Sequence, residues 1–264
     1  MLVILKRNEE EISSQAAQLI AGAIRRKPAL TLGLATGATM VGVYQHLAQL
    51  HQAGSLDFSR VVTFNLDEYL GLSAAHPQSF RHFMQENLFA HVNINPRNIH
   101  IPDGTIRDHY DQYCASYEQT IRKAGGIDLQ LLGIGRNGHI GFNEPTSSIG
   151  SRTRLKVLTQ ETIDDNSKFF APDEASPRCA ITMGIGTILE ARKILLLAAS
   201  SAKAAPVAQS IEGPVTSAVS ASALQLHPDV TFIIDDAAAS QLTQRDYYRQ
   251  VLEMTALLTP DRLS

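Results

Sequence analysis

The chain carries no tryptophan, two cysteines and no long hydrophobic run. Each shortage excludes something. The richest apolar stretch, Ile194–Ala199, is only six residues long, whereas a bilayer-spanning helix needs about 20. At the N-terminus, Met1-Leu2-Val3-Ile4-Leu5 is closed by Lys6 and then by Glu9, Glu10 and Glu11, which is too short a run for a secretory leader. Cys114 and Cys179 form no CxxC or Cys/His spacing, so they are expected to be two reduced thiols with no metal to bind. Net charge is −3, so no global basic field exists to hold nucleic acid, and any phosphate recognition must be local. These shortages describe a cytoplasmic protein without a membrane or nucleic-acid partner.

What is present is a globular composition. With 264 residues and 44% apolar content, the chain can bury a sizeable core without crosslinks. No Gly/Ser/Pro-rich linker, internal repeat or low-complexity tract divides it, so residues 1–264 read as one domain. Apolar runs predict strands at Met1–Leu5, Leu30–Leu34, Val61–Asn65, Ile127–Ile134, Ile194–Ala198 and Val230–Ile234. Helical spacing covers Ile12–Arg26, the stretch after Thr39 to about Gln52, Ser79–Phe89, Tyr110–Ala124, Ala202–Ile211 and Gln244–Leu257. Asn98–Ile101 is a short extended piece. This alternation predicts an α/β fold, an open, mostly parallel twisted sheet with helices on both faces, Rossmann-like. The segment Asn143–Ala180 has no clear strand and is polar and punctuated by Gly and Pro, so it is expected to form a mobile lid.

Ligands of such sheets bind beyond the carboxyl ends of the strands, where three loops carry unusual residues. Ala35-Thr36-Gly37-Ala38-Thr39 joins a strand to a helix start, and its small residues would let backbone N–H groups approach an anion. Alone, it also reads as an ordinary turn with a Thr cap. Asn65-Leu66-Asp67-Glu68-Tyr69 sets two acids after a buried strand. Either acid could serve as a general base, or the pair could be a helix cap and a solvated Glu. Gly133-Ile134-Gly135-Arg136-Asn137-Gly138-His139-Ile140-Gly141-Phe142-Asn143-Glu144-Pro145 is dense in glycine and holds a histidine five residues before a carboxylate. Such a pair can tune an imidazole, although a lone loop histidine is more often structural. Lys203 follows the strand Ile194–Ala198 and could neutralise a phosphate, or be a plain surface lysine.

Taken together and in order, Leu32–Thr39, Val61–Leu72, Leu132–Pro145, Ser151–Lys156, Thr182–Glu190 and Leu224–Pro228 resemble the glucosamine-6-phosphate deaminase (isomerase) family. Gly138-His139-Ile140-Gly141-Phe142-Asn143-Glu144-Pro145 is the most specific of these. The resemblance implies a cofactor-free, metal-free, reversible conversion of glucosamine 6-phosphate and water to fructose 6-phosphate and ammonia. It assigns Asp67 as base for the C2 proton and His139 as the acid/base of ring opening, assisted by Asn137 and Glu144. The phosphate would lie on Thr36, Gly37, Ala38 and Thr39 with Lys168 and Lys203. Ser147, Ser148, Arg154 and Lys156 match residues that bind an activator, N-acetylglucosamine 6-phosphate, in hexameric relatives. A homo-oligomer, with a hexamer among its forms, is implied with them.

The chain departs from the family pattern at a few positions. Asn137 stands where some relatives have Asp, so one carboxylate fewer supports the His139 cation. Lys168 stands where Arg is expected, without the bidentate fork. Met40 replaces an expected Pro, and Ser200 an expected Gly. The alternatives are a galactosamine-6-phosphate deaminase, a related lactonase, or a ligand-sensing regulator of similar fold. The last would need a DNA-binding segment, which the charge of −3 does not favour.

Overall fold

Val-Thr-Phe-Ile-Ile-Asp, residues 230–235, has every side chain buried. Such a run needs cover on both faces and fits the interior of a sheet. In the computed structural model, which describes residues 1–259, it is one of seven strands in a parallel sheet. The strands are β1 (Leu2–Lys6), β2 (Thr31–Leu34), β3 (Val62–Asn65), β5 (Ile99–His100), β6 (Leu129–Leu132), β9 (Lys193–Ala198) and β10 (Val230–Asp235). Their spatial order is β1-β10-β9-β6-β2-β3-β5. The helices are α1 (Glu9–Arg26), α2 (Ala38–Gln52), α3 (Phe80–Asn87), α4 (Tyr110–Lys123), α5 (Gln160–Ser167), α6 (Ile185–Leu189), α7 (Ala204–Ile211) and α8 (Arg245–Leu258). Among the described residues, no helix is long and apolar enough to cross a membrane.

The α/β fold with a mostly parallel sheet is as expected, and its causes are local. Asn8 caps α1 by accepting from the Glu11 N–H at 3.0 Å. Glu9–Glu11 and Arg25–Arg26 match the two ends of the helix dipole. Ile12, Ala16, Leu19, Ile20 and Ile24 then bury one stripe. These residues share one core cluster with Leu32, Leu34, Phe64, Leu131, Leu195 and Phe232 of the sheet.

The segment 143–180 differs from expectation. It holds β7 (Arg154–Val157) and α5 and leads into β8 (Cys179–Thr182), which pairs antiparallel with both β7 and β4 (Asp67–Tyr69) in a second sheet of order β4-β8-β7. β7 is a four-residue edge strand with no fully buried side chain, so it lacks the apolar run that marks the main sheet. Leu66 joins the sheets. Its N–H donates to Leu34 O of β2 at 3.0 Å, and its carbonyl accepts from Met183 N, just beyond β8, at 2.7 Å.

Two motif positions prove to be structural. His227 is buried, with Nε2 2.6 Å from Ala191 O, and its Nδ1 accepts from the Asp229 N–H at 3.1 Å. Ser200 has φ 80° and ψ 156°, a region that glycine occupies freely and other residues do not. It is held there by its N–H, which donates to the Asp235 carboxylate. Ser200→Gly is therefore expected to stabilise the fold by about 1 kcal/mol, raising Tm by about 2–4 °C. Differential scanning calorimetry checks it; an unchanged or lower Tm would show that the position carries no strain.

Candidate active site

The carboxyl ends of β2, β6 and β9, together with β4, α3 and α5, surround a cavity of about 620 Å³. One wall is the loop after β2. Gly37, at φ 114°, is the N-cap of α2, and no side chain caps the helix. Thr36, Gly37, Ala38 and Thr39 all line the cavity. A helix start without a side-chain cap leaves N–H groups and the positive dipole end to an anion. Lys203 reaches the same cavity from the β9 side. Burial, and next the charge of Arg136, disfavour its ammonium form and push its pKa down.

Asp67 stands opposite, on β4, in register with Thr182 of β8. Its carboxylate borders the cavity, yet the residue is only 6% exposed. Burial, and then the neighbouring Glu68 charge, push its carboxyl up to about 8. The apolar surroundings come from a second cluster, Tyr69, Phe142, Leu158, Phe170 and Ala180. Phe142 stacks on Phe80 at 5.9 Å between centroids. Glu68 is the other acid of the pair, and it is neither solvated nor free. It is buried and accepts from the Phe80 and Arg81 N–H groups at 2.9 Å, holding the start of α3. Sequence reasoning missed this role, because only tertiary contact brings Glu68 to a helix twelve residues on.

The His139 loop explains its own glycines. A Cβ on Gly135 would lie 2.3–2.5 Å from the His139 ring, so only glycine lets the imidazole rest against the backbone. Asn137 sits between His139 and Glu144. Its Nδ2 donates to Glu144 Oε2 at 3.1 Å, which leaves Oδ1 to face His139 Nδ1 at 2.7 Å. That orientation puts the proton on Nδ1 and keeps Nε2 as the basic nitrogen. Glu144 Oε2 is itself 3.4 Å from Nδ1. Burial alone would raise the Glu144 carboxyl. Donors on His139 and Thr162, the imidazolium charge and the Asn137 amide outweigh it and hold the group at about 2. Asn137 and Glu144 thus stand behind His139, which lines the cavity.

The structure does not gather every expected residue. Lys168 is not among the cavity-lining residues. It follows α5, and its Nζ lies over the Phe169 ring, 5.3 Å from the centroid. Ser147 is buried, Ser148 is exposed, and Arg154 and Lys156 are half-buried on β7. Arg154 Nη1 donates to Asn143 Oδ1 at 2.9 Å. Arg136, Thr162, Asp165 and Asn166 line the cavity without having been singled out. Helical spacing on α5 would have grouped the last three had that helix been expected. Among the described residues, no cluster of three or more His, Cys, Asp or Glu side chains is placed to hold a metal.

The bridging position of Asn137 can be tested directly. Asn137→Asp should move the His139 imidazole titration upward, because a second carboxylate then stabilises the cation. NMR of the ring protons reads it; an unmoved titration would sever residue 137 from the histidine.

Comparison with known proteins agrees with this geometry. A glucosamine-6-phosphate deaminase of Hahella chejuensis is 54% identical over 255 residues, 97% of each chain. One of Thermoanaerobacter pseudethanolicus is 52% identical over 246 residues, 93% of this chain and 97% of the other. A solved structure described as a monomeric glucosamine-6-phosphate deaminase superposes with a TM-score of 0.88 at 44% identity, covering 91% of this chain and all of that one. A 6-phosphogluconolactonase from Trypanosoma cruzi shares the fold, with a TM-score of 0.72 at 21% identity over 92% of this chain and 97% of that chain. The profile of the glucosamine-6-phosphate isomerases and 6-phosphogluconolactonases matches residues 6–232. With that profile over most of its length and its strand-end loops around one cavity, this chain belongs to the glucosamine-6-phosphate isomerase/6-phosphogluconolactonase family.

Proposed function

We propose that the protein is a glucosamine-6-phosphate deaminase of amino sugar catabolism, converting glucosamine 6-phosphate and water reversibly to fructose 6-phosphate and ammonia. One observation carries the reading. A desolvated carboxylate, Asp67, and an oriented imidazole, His139, face the same cavity as an uncapped helix start and a lysine. The first pair suits proton transfer at carbon and oxygen; the second suits a phosphate.

The steps follow from these groups. With its phosphate on Thr36–Thr39 and Lys203, the sugar presents its C1–C2 end to Asp67 and His139. His139 Nε2 takes the proton of the anomeric hydroxyl and returns one to the ring oxygen, opening the ring. Glu144 stabilises the cation formed in between. Asp67 takes the C2 proton while the aldehyde oxygen gains one, giving an enolamine; Asp67 then delivers its proton to C1, and the nitrogen gives one up as the ketimine forms. Water adds to C2 of that imine, and ammonia leaves. A carbon acid needs a strong base, and the weak solvation of Asp67 makes it stronger than an exposed aspartate. Lys168, near Lys203, belongs to the long-range field on the phosphate. The flank of the cavity within residues 143–180, including α5, serves as a lid over it.

The wider setting belongs to this proposal too. Arg154 and Lys156 lie two apart on β7, and burial, then the Arg154 charge, lowers the Lys156 pKa. Such a crowded cation pair favours an anionic activator, and the buried hydroxyl of Ser147, which has no partner, is a further donor for one. Exposed Tyr247, Met254 and Leu257 on α8 support a homo-oligomer, a hexamer among its forms, although one relative is described as monomeric. Location in the cytoplasm fits a substrate too charged to cross a bilayer.

Coupled assays of ammonia and fructose 6-phosphate test the reaction. Asp67→Asn should lower kcat by about 10²- to 10⁴-fold, and a fully active variant would remove Asp67 as the base. For the wild type, Asp67 must be ionised to act, so kcat/KM should fall on the acid side of a midpoint near 8, the pKa of the free enzyme. A flat profile between pH 6 and 9 would contradict it. Velocity curves with and without N-acetylglucosamine 6-phosphate test the β7 site; a hyperbolic curve that the compound leaves unchanged rules it out.

A further inference from the structure

Strands β9, β6 and β2 are neighbours in the sheet, and all three point their carboxyl ends at the cavity. β9 leads to Lys203, β2 leads to the uncapped start of α2, and the strand between them leads to Arg136. Topology alone therefore sets Arg136 between the two features assigned to the phosphate. Arg136 lines the cavity, whereas Lys168 does not, and the Arg136 guanidinium reaches toward Asp165, another lining residue.

The guanidinium is loosely held. Its Nε stands 3.4 Å from Asp165 Oδ2 of α5, with 55% of the Arg136 side chain and 35% of the Asp165 side chain exposed. Such a long, wet pair contributes little and exchanges readily. Among the described residues, neither Nη has a hydrogen-bond partner. Two donors in a planar fork match two phosphate oxygens. The charges around the site point the same way. Arg136 and Lys168 both act on Lys203 as like charges, and Asp165 opposes them. Cations thus outnumber anions at this end of the cavity, the sign a phosphate requires.

We infer that Arg136 is a further ligand of the substrate phosphate, and that Asp165 is the carboxylate it leaves when the phosphate binds. This rests on the proposed function and adds a binding residue to it. The arrangement assigns the fork to the loop after β6 and leaves the ammonium of Lys168 at long range.

Inorganic phosphate is the probe. Its Kd by calorimetry and its Ki against glucosamine 6-phosphate turnover are measured for wild type, Arg136→Ala and Arg136→Lys, each shown to be folded by circular dichroism. Arg136→Ala should weaken phosphate about 10- to 100-fold and raise KM in parallel, with kcat held within about threefold. Arg136→Lys should recover part of the loss. Asp165→Asn should tighten phosphate, and that gain should shrink when Arg136 is also alanine. An unchanged phosphate Kd in Arg136→Ala overturns the assignment, as does a loss confined to kcat. Should the wild type release no ammonia from glucosamine 6-phosphate, the proposed function falls, while the phosphate calorimetry still decides Arg136.

Discussion

The cavity depends on two backbone hydrogen bonds made by one residue. Leu66 ends the parallel sheet with its N–H and begins the small antiparallel sheet with its carbonyl. The chain changes partner there, and the next residue is Asp67. A carboxylate at the tip of a parallel strand would meet water. Carried across to β4, it is instead covered by β8 and the aromatic cluster. The main sheet supplies the loops at Thr36–Thr39 and Gly135–His139, the small sheet supplies Asp67, and Leu66 joins the two.

Two carboxylates in one site are pushed in opposite directions by their surroundings. Asp67 loses water and gains a neighbouring acid, without a donor to compensate. Glu144 loses water too, but it gains His139, Asn137 and a threonine hydroxyl. The first holds its proton to about pH 8, and the second stays ionised down to about pH 2. Residue type says nothing of this division, because the environment makes it.

The parallel sheet was legible because β2, β9 and β10 are mostly apolar, nearly fully buried runs followed by turns of small or short polar residues. The strand-end loops at Thr36–Thr39 and at Gly135–Glu144 were legible because glycine marks where backbone must come close. The small sheet was not, since β4 has three residues and β7 alternates Arg-Leu-Lys-Val on a half-exposed edge. Glu68 looked like a solvated acid because its partners, Phe80 and Arg81, become neighbours only through the fold. Arg136 was passed over within the densest motif of the chain. Its position between two flanking loops follows from the strand order β9-β6-β2, which local pattern does not encode. Family resemblance carries Lys168 toward the phosphate; in the structure its ammonium lies over Phe169, a residue of the cavity wall, and its charge acts on Lys203.

Glu144 has a second attachment. Its Oε1 accepts from the N–H and the hydroxyl of Thr159, both at 3.2 Å, and Thr159 is the N-cap of α5. The same carboxylate that balances His139 therefore anchors the helix that carries Thr162, Asp165 and Asn166 into the cavity. The imidazole and the start of α5 are held by the two oxygens of one anion. One carboxylate thus holds together two parts of the cavity wall, its own loop and a helix cap fifteen residues further along the chain.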